Sequence, residues 1–221
     1  KYMKVFNNGD AIDLNRFWTY QAKGVNTLYI PQSERREYIG TIERQIYRSI
    51  SEQSLKSKQT LDLVEELTEQ TLYEIYEDGI FDESSVRRCT SIIKTYIALL
   101  EADVKLLTNF IALSKNETYW CRHHIATAVL AILLSKASGH STPKTLLLVG
   151  LGSLLHDIGL LKVPKEYWEA EYRLKISGGE EMKKHAALGA QLVKTQESAP
   201  DELALVIEQH HEHHDGSGYP K

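Results

Sequence analysis

The chain has 221 residues, of which 42% are hydrophobic and 25% charged, with a net charge of -4. This length allows one good-sized domain and a smaller partner. The acidic balance excludes a general nucleic-acid or anionic-membrane surface, which needs clustered Lys and Arg. Cys89 and Cys121 form no CxxC pattern, so they indicate neither a disulfide framework nor a sulfur-ligated zinc site. We therefore predict a reducing, cytoplasmic setting and no DNA partner.

The chain carries no obvious membrane or export segment. Its most apolar run, Leu146 to Leu155, is about half of the roughly 20 residues that span a bilayer, and Gly150 and Gly152 interrupt it. The sequence therefore predicts no membrane span and no signal peptide. Because it starts without Met and stops after Pro220 inside a motif, we expect a fragment.

The first 32 residues mix strand-like and helical patterns. Tyr2 to Phe6 and Thr27 to Ile30 are β-like, and they flank a helix predicted from Asp13 to Ala22. Asp13 is placed to cap the start of this helix and Gly24 its end. This pattern indicates part of a small α/β unit.

Helical periodicity dominates residues 33–113. Apolar side chains recur at spacings of three, four and five in a charged background, which is typical of amphipathic helices. The first stripe, within Ser33 to Glu77, comprises Ile39, Ile42, Ile46, Ile50, Leu61, Val64, Leu67 and Leu72. The second, within Ser84 to Leu113, comprises Val86, Ile93, Ile97, Leu100, Val104 and Leu107. We interpret the first stripe as core or as a signalling helix pair.

The second half of the chain is predicted to be all-α. One helix after Asn116 carries His123, and the next runs from Thr142 as N-cap and Pro143 at the first helical position to His156-Asp157. A further helix from Glu180 to Lys194 carries His185, and a last one covers residues 201–214.

Histidines and one aspartate recur along these helices. His123 precedes His156 by 33 residues, Asp157 precedes His185 by 28, and His185 precedes His210 by 25, each about one helical hairpin. Imidazole and carboxylate suit divalent iron, manganese and zinc alike, and a helical bundle can bring such groups together in its core. A bridging carboxylate, here Asp157, can hold two ions about 3.5–4 Å apart and thereby generate a hydroxide nucleophile near neutral pH.

From about Tyr119 to its end, the chain resembles the HD-GYP family of HD-superfamily phosphohydrolases. The resemblance rests on Tyr119-x3-His123, His156-Asp157-Ile158-Gly159 followed by Val163-Pro164, His185-x3-Gly189, and His210-His211-Glu212-x2-Asp215-Gly216-x-Gly218-Tyr219-Pro220. It implies an all-α fold, two or three metal ions that are often iron or manganese, and hydrolysis of cyclic di-GMP to pGpG or GMP.

Residue roles follow from this resemblance position by position. The implied metal ligands are His123, His156, Asp157, His185, His210 and His211. His156 and Asp157 are also the implied catalytic residues, acting through a metal-bridging hydroxide. Gly218, Tyr219 and Pro220 are expected to shape the substrate-side loop. Separately from the resemblance, Lys183-Lys184 are typical of a solvated helix face, but their position beside His185 keeps a phosphate-attracting role open, and we name Lys184 as a substrate contact.

The chain departs from the family pattern at three places. Leu160 stands where the family usually has a phosphate-side Lys, and Lys162 or Lys184 are the candidates to replace it. Tyr119 stands where members with a third metal carry Glu, so we favour two ions, iron first, with manganese and zinc as alternatives. The family's further Asp ligand would lie beyond Lys221.

Several residues near the motifs are expected to have roles other than metal binding. His124 is expected in packing or on the surface, and His213 and His214 in solvent. Glu212 and Asp215 could orient ligand imidazoles as hydrogen-bond acceptors, or could be only helix-end or turn residues.

We thus predict a mainly α protein: an N-terminal regulatory region (1–112), with a small α/β unit and long helices, joined to an all-α HD-GYP-like domain (113–221) that continues past the chain end. The predicted function is a metal-dependent cyclic di-GMP phosphodiesterase in bacterial signalling. One alternative is a weak or inactive module that keeps its metals, which Leu160 favours. Another is a phosphohydrolase of a different nucleotide. Signalling-protein partners and a homodimer stay open.

Overall fold

The computed structural model describes residues 14–25, 29–51, 58–102, 119–167 and 179–220. Within these ranges the chain is helical and contains no β-strand. Two units can be distinguished, Lys1–Tyr38 and Ile39–Lys221. The predicted boundary near residue 112 falls outside the described ranges.

The first unit contains helix α1, Leu14–Ala22. Gly24 adopts a φ of 81°, and its N–H donates to the Gln21 carbonyl while that of Val25 donates to the Tyr20 carbonyl. These bonds close the helix end in the left-handed conformation that glycine adopts at low cost. The predicted Gly24 C-cap is therefore confirmed.

The predicted α/β character of this region is not observed in its described part. Tyr29 and Ile30, at the end of one predicted strand, lie in no strand. The other predicted strand, Tyr2 to Phe6, and the predicted cap Asp13 lie outside the described residues.

The described parts of both apolar stripes lie on helices and are largely buried. Ile97 is half-buried, and the predicted stripe positions Ile50, Val104 and Leu107 lie outside the described side chains. Helix α2 covers Arg35–Ser51, α3 covers Lys58–Tyr76 and α4 covers Glu83–Ala102. Burial is nearly complete at Ile39, Ile42, Ile46, Leu61, Val64, Leu67, Leu72, Val86, Ile93 and Leu100. The amphipathic pattern thus predicted these helices correctly.

Helices α3 and α4 pack against each other through apolar and polar contacts. Thr68 and Tyr96 share a hydrogen bond of 3.2 Å between their hydroxyl oxygens. A buried ion pair joins Arg88 of α4 to Glu74 of α3. At the start of α4, the Asp82 carboxylate accepts the N–H groups of Ser84 and Ser85 at 2.9 and 3.0 Å, which makes it the N-cap.

Helix α6 lies at the centre of the bundle. It covers Pro143–Leu155 and contacts α4, α5 (Tyr119–Ala137) and α8 (Leu203–Glu208). Its cap is as predicted, because Thr142 Oγ1 accepts the Thr145 N–H at 3.1 Å and Pro143 is the first helical residue. The segment Pro143–Lys162 is apolar and long enough to cross a membrane, but half of it is buried in the protein, as in a core helix.

The chain beyond α6 differs from the prediction at two helix ends. Helix α6 stops at Leu155, and Ile158–Lys162 form a 3-10 helix after the His156-Asp157 turn. Helix α7, Glu180–Lys194, has the predicted bounds. Helix α8 is shorter than the predicted 201–214, and Nδ1 of His210, just after the helix, lies 2.7 Å from the Ile207 carbonyl oxygen.

Candidate metal centre

The structure brings all six predicted ligands together. They form two groups, within each of which one nitrogen or oxygen per residue lies within 4.8 Å of the others. The groups are His123, His156 and Asp157, and His185, His210 and His211.

Each group draws its members from separate elements. His123 lies on α5, and His156 and Asp157 occupy the turn after α6. His185 lies on α7, and His210 and His211 follow α8 directly. The convergence therefore depends on how closely the 3-10 helix 158–162 and α7 approach each other.

Two motif glycines permit that approach. A Cβ placed on Gly159 would lie 1.9 Å from the His185 carbonyl oxygen and 2.5 Å from the Gly189 nitrogen. A Cβ on Gly189 would lie 3.1 Å from the Gly159 nitrogen and 2.9 Å from a methyl of Ile207. The two backbones are thus in direct contact, and any side chain at position 159 would separate Asp157 from His185.

Backbone carbonyls fix the orientation of three of the imidazoles. Nδ1 of His156 lies 2.8 Å from the Ser153 carbonyl oxygen, and Nδ1 of His210 lies 2.7 Å from that of Ile207. His185 Nδ1 contacts the Met182 carbonyl oxygen in the same way. Each acceptor is three residues before its histidine. Because a carbonyl can only accept, these contacts put the ring proton on Nδ1 and leave the Nε2 lone pair for a ligand.

The Nε2 atoms face one another in pairs. His185 and His210 have Nε2 atoms 3.1 Å apart, and those of His123 and His156 are 3.3 Å apart. Two nitrogens bound to one ion at about 2.1 Å are about 3.0–3.4 Å apart for octahedral to tetrahedral angles. Burial lowers the pKa of His210 to about 4, so the His210 imidazole is neutral at neutral pH. The donor set therefore fits a divalent metal ion.

Asp157 stands between the two groups. Its Oδ2 lies 3.2 Å from Nε2 of His156, and its Oδ1 lies 3.4 Å from Nε2 of His185. Burial acts to raise the pKa of the Asp157 carboxyl, but the contact with His156 and the neighbouring His124 and His185 together lower it below its usual range. An ionised carboxylate with one oxygen toward each group is the arrangement of a bridging ligand.

His124 is a packing residue, as expected, but it packs directly behind the centre. Its ring is fully buried, stacks on Tyr76 at 5.0 Å between centroids, and lies 5.1 Å from the ring of His156. Burial lowers its pKa to about 3, so the ring is neutral at physiological pH. It therefore supports the ligand rings without adding charge.

The loop after the histidine pair closes over His211. The Tyr219 N–H donates to the His211 carbonyl at 3.2 Å, and the two rings stack at 4.7 Å with an interplanar angle of 20°. Gly218 is required because a Cβ there would lie 2.3 Å from the His211 carbonyl oxygen. Gly218, Tyr219 and Pro220 are thus beside the centre, where the sequence placed the substrate loop.

Acidic residues of this loop bind the loop itself. Asp215 Oδ1 accepts the Ser217 hydroxyl at 2.7 Å and the Ser217 N–H at 3.0 Å, and Ser217 Oγ lies 2.9 Å from Nδ1 of His213. Glu212 accepts the His213 N–H at 2.9 Å. These contacts favour the alternative that Glu212 and Asp215 stabilise the turn and do not orient ligand imidazoles. The carbonyl acceptors that orient the ligands were missed, because every residue carries a carbonyl and no sequence signal marks these three.

The structure shows the surroundings of Leu160 and of the two lysines nearest to His185. Leu160 is fully buried and packs with Val163, Met182 and Leu188, so its side chain belongs to an apolar cluster. Lys184 forms an ion pair with Glu181 one turn earlier. The Lys183 ammonium lies 5.8 Å from the ring centroid of Tyr219. Sequence reasoning selected Lys184 from its position beside His185, whereas the residue next to the loop is Lys183.

The chain is similar to a known protein family, to one curated protein and to one solved structure. Residues 105–221 match the family model described as HD domain. "Cyclic di-GMP phosphodiesterase PdeB" of Borreliella burgdorferi is 30% identical over 106 residues, which are 48% of this chain and 27% of that protein. The solved structure of "Bd1817, a HDG"Y"P protein from Bdellovibrio bacteriovorus" has a TM-score of 0.61 at 22% identity and covers 95% of this chain and 69% of Bd1817.

The chain belongs to the HD domain family, because the family model matches more than half of its residues. The resemblance to the HD-GYP group predicted from the motifs is confirmed. The helical HD-type fold is confirmed as well. The chain spans about a quarter of the length of PdeB.

Proposed function

We propose that the chain is a metal-dependent phosphodiesterase that hydrolyses cyclic di-GMP to pGpG or GMP. The observation that carries this proposal is the position of Asp157, with one carboxylate oxygen toward each nitrogen-rich group at 3.2 and 3.4 Å. Such a pair of sites, joined by one carboxylate, is typical of two-metal phosphoester hydrolysis. The name of the relative PdeB supports the same substrate.

Two divalent ions, iron first and manganese or zinc as alternatives, are proposed for this centre. The ligands would be His123, His156, Asp157, His185, His210 and His211, with Asp157 shared. Such ions supply a nucleophilic hydroxide near neutral pH and neutralise charge that develops on the phosphoryl oxygens. Imidazole and carboxylate do not by themselves distinguish these metals.

The protein residues prepare the centre in two ways. The Ser153, Met182 and Ile207 carbonyls hold the imidazoles in the tautomer that directs Nε2 inward. Burial keeps His210 neutral, with a pKa near 4, so its nitrogen is available at pH 7. These contacts orient the ligand imidazoles for metal binding.

The test is hydrolysis of cyclic di-GMP by the purified chain after loading with iron or manganese. Products are separated by chromatography, and metal content is measured by elemental analysis. We expect pGpG or GMP from the loaded chain, loss of turnover after EDTA, and a loss of at least about 100-fold in Asp157→Asn. His140→Ala, which changes an exposed histidine in a loop, serves as the matched control. Turnover that persists after verified metal removal would refute the proposal.

A second candidate function is a signalling module that binds the metals and the dinucleotide but turns it over slowly or not at all. The burial of Leu160 in an apolar cluster favours it, because that position offers no cation to the substrate. Equilibrium binding of cyclic di-GMP to the metal-loaded chain, without product after prolonged incubation, would select this function. Rapid product formation would reject it. A cytoplasmic location and a partner protein belong to either proposal.

A further inference from the structure

A cyclic dinucleotide carries two phosphodiester groups, and hydrolysis requires only one of them at the metal centre. The other phosphate stays anionic. Because the chain has a net charge of -4, it offers no general attraction to an anion, and this phosphate needs a cation nearby. This reasoning rests on the proposed function.

Lys183 is positioned at the rim of the centre. Its ammonium lies 5.8 Å from the centroid of the Tyr219 ring, and that ring stacks on His211 at 4.7 Å. The positive charge is thus one aromatic ring away from a candidate ligand.

Lys183 is also available for a ligand. Its partner within the helix is Glu180 at 2.8 Å, and the Glu180 side chain is 85% exposed. An exposed ion pair of this kind contributes little to stability, so a phosphate can replace the carboxylate at small cost. A charge-assisted hydrogen bond to phosphate is stronger than a neutral one.

Lys184 provides a close comparison because it has the same charge and an equivalent partner. It pairs with Glu181 three residues earlier, as Lys183 does with Glu180. The difference between the two lysines is the contact of Lys183 with Tyr219. If Lys183 acts at the centre, replacing it should weaken dinucleotide binding more than replacing Lys184. If only the total charge matters, both replacements should weaken binding equally.

We propose that Lys183 and Tyr219 form an anion-binding rim that holds the second phosphate of a cyclic dinucleotide while the first lies at the metal centre. In this role Lys183 determines the substrate class, because it binds the second phosphate and so increases the affinity for substrates with two phosphates. Position 160 then needs no cation for substrate binding.

The test compares Lys183→Ala, Lys184→Ala and Lys194→Ala in the metal-loaded chain, each of which removes one positive charge from α7. Lys194 lies in the last turn, at the other end of the helix, and its substitution should leave binding unchanged. For fluorescently labelled cyclic di-GMP we expect Kd to rise about tenfold in Lys183→Ala, the loss of one charge-assisted contact. The rise should be at least fivefold smaller in Lys184→Ala, and Lys183→Arg should restore most of the affinity.

A substrate with one phosphodiester separates this role from a role at the reacting phosphate. With bis(4-nitrophenyl) phosphate, kcat/KM should be the same for Lys183→Ala and the unaltered chain. Equal Kd values for the three alanine variants would overturn the proposal. It would also be overturned if Lys183→Ala lowered kcat/KM for bis(4-nitrophenyl) phosphate as much as it lowered affinity for cyclic di-GMP. If the unaltered chain neither binds nor hydrolyses cyclic di-GMP, the proposed function itself fails, which is a distinct result.

Discussion

Replacing Gly159 by Ala should damage both the stability and the metal centre. The added Cβ would lie 1.9 Å from the His185 carbonyl oxygen, a separation that real Cβ atoms essentially never show. Relief requires the two backbones to separate by about 1 Å. Because the obstacle is backbone and not a flexible side chain, we expect a cost at the upper end of overpacking, about 3 kcal/mol or more. For a chain of this size that lowers Tm by about 6–12 °C.

Gly40→Ala is the matched control. Gly40 lies inside α2, where an added Cβ would meet only the flexible end of Arg44 at 3.5 Å. It should therefore stabilise the protein by about 0.5–1 kcal/mol through helix propensity. Denaturation monitored by circular dichroism gives both effects, and elemental analysis gives metal content. The reasoning is refuted if the free energy of unfolding of Gly159→Ala lies within about 0.5 kcal/mol of that of the unaltered chain and the variant keeps its full metal content.

Two further substitutions test the packing and the helix ends. Leu160→Lys should cost about 3 kcal/mol or more in stability, because it buries an ammonium among apolar side chains. Leu160→Met should cost less than about 1.5 kcal/mol, and equal thermal stabilities of the two variants would contradict this. Asp82→Ala should cost about 1 kcal/mol by removing the cap of α4. Hydrogen bonds from Ser84 and Ser85 outweigh burial and lower the pKa of Asp82, so the stabilisation is fully present above the unfolded carboxyl pKa of about 3.9 and is lost as the pH falls through the lower folded pKa. Urea unfolding at pH 7 and pH 3 should show the difference between Asp82→Ala and the unaltered chain shrinking at pH 3, and a constant difference would contradict the assignment.

The helices and the candidate ligands could be predicted from sequence because their signals are local or chemically specific. Helix α7 had its bounds predicted, with acidic residues in its first turn and Lys194 in its last. The convergence of His123, His156 and His210 followed from the order of their motifs, since few other residue types suit such a centre. Thr142 and Pro143 marked the start of α6 by the same kind of local chemistry.

What could not be predicted depends on three-dimensional packing. The burial of Leu160 follows from how the 3-10 helix 158–162 lies on α7, and the choice between Lys183 and Lys184 follows from where Tyr219 comes to rest. No pattern along the chain encodes these contacts, because each joins segments that are distant in sequence.

The most direct test of the two-metal centre is an anomalous difference map from crystals of the metal-loaded chain, measured at the iron and manganese edges. We expect two peaks about 3.5–4 Å apart, joined by Asp157, one among His123 and His156 and the other among His185, His210 and His211. No peak at these residues in fully loaded crystals, or a single peak bound without Asp157, would contradict the account.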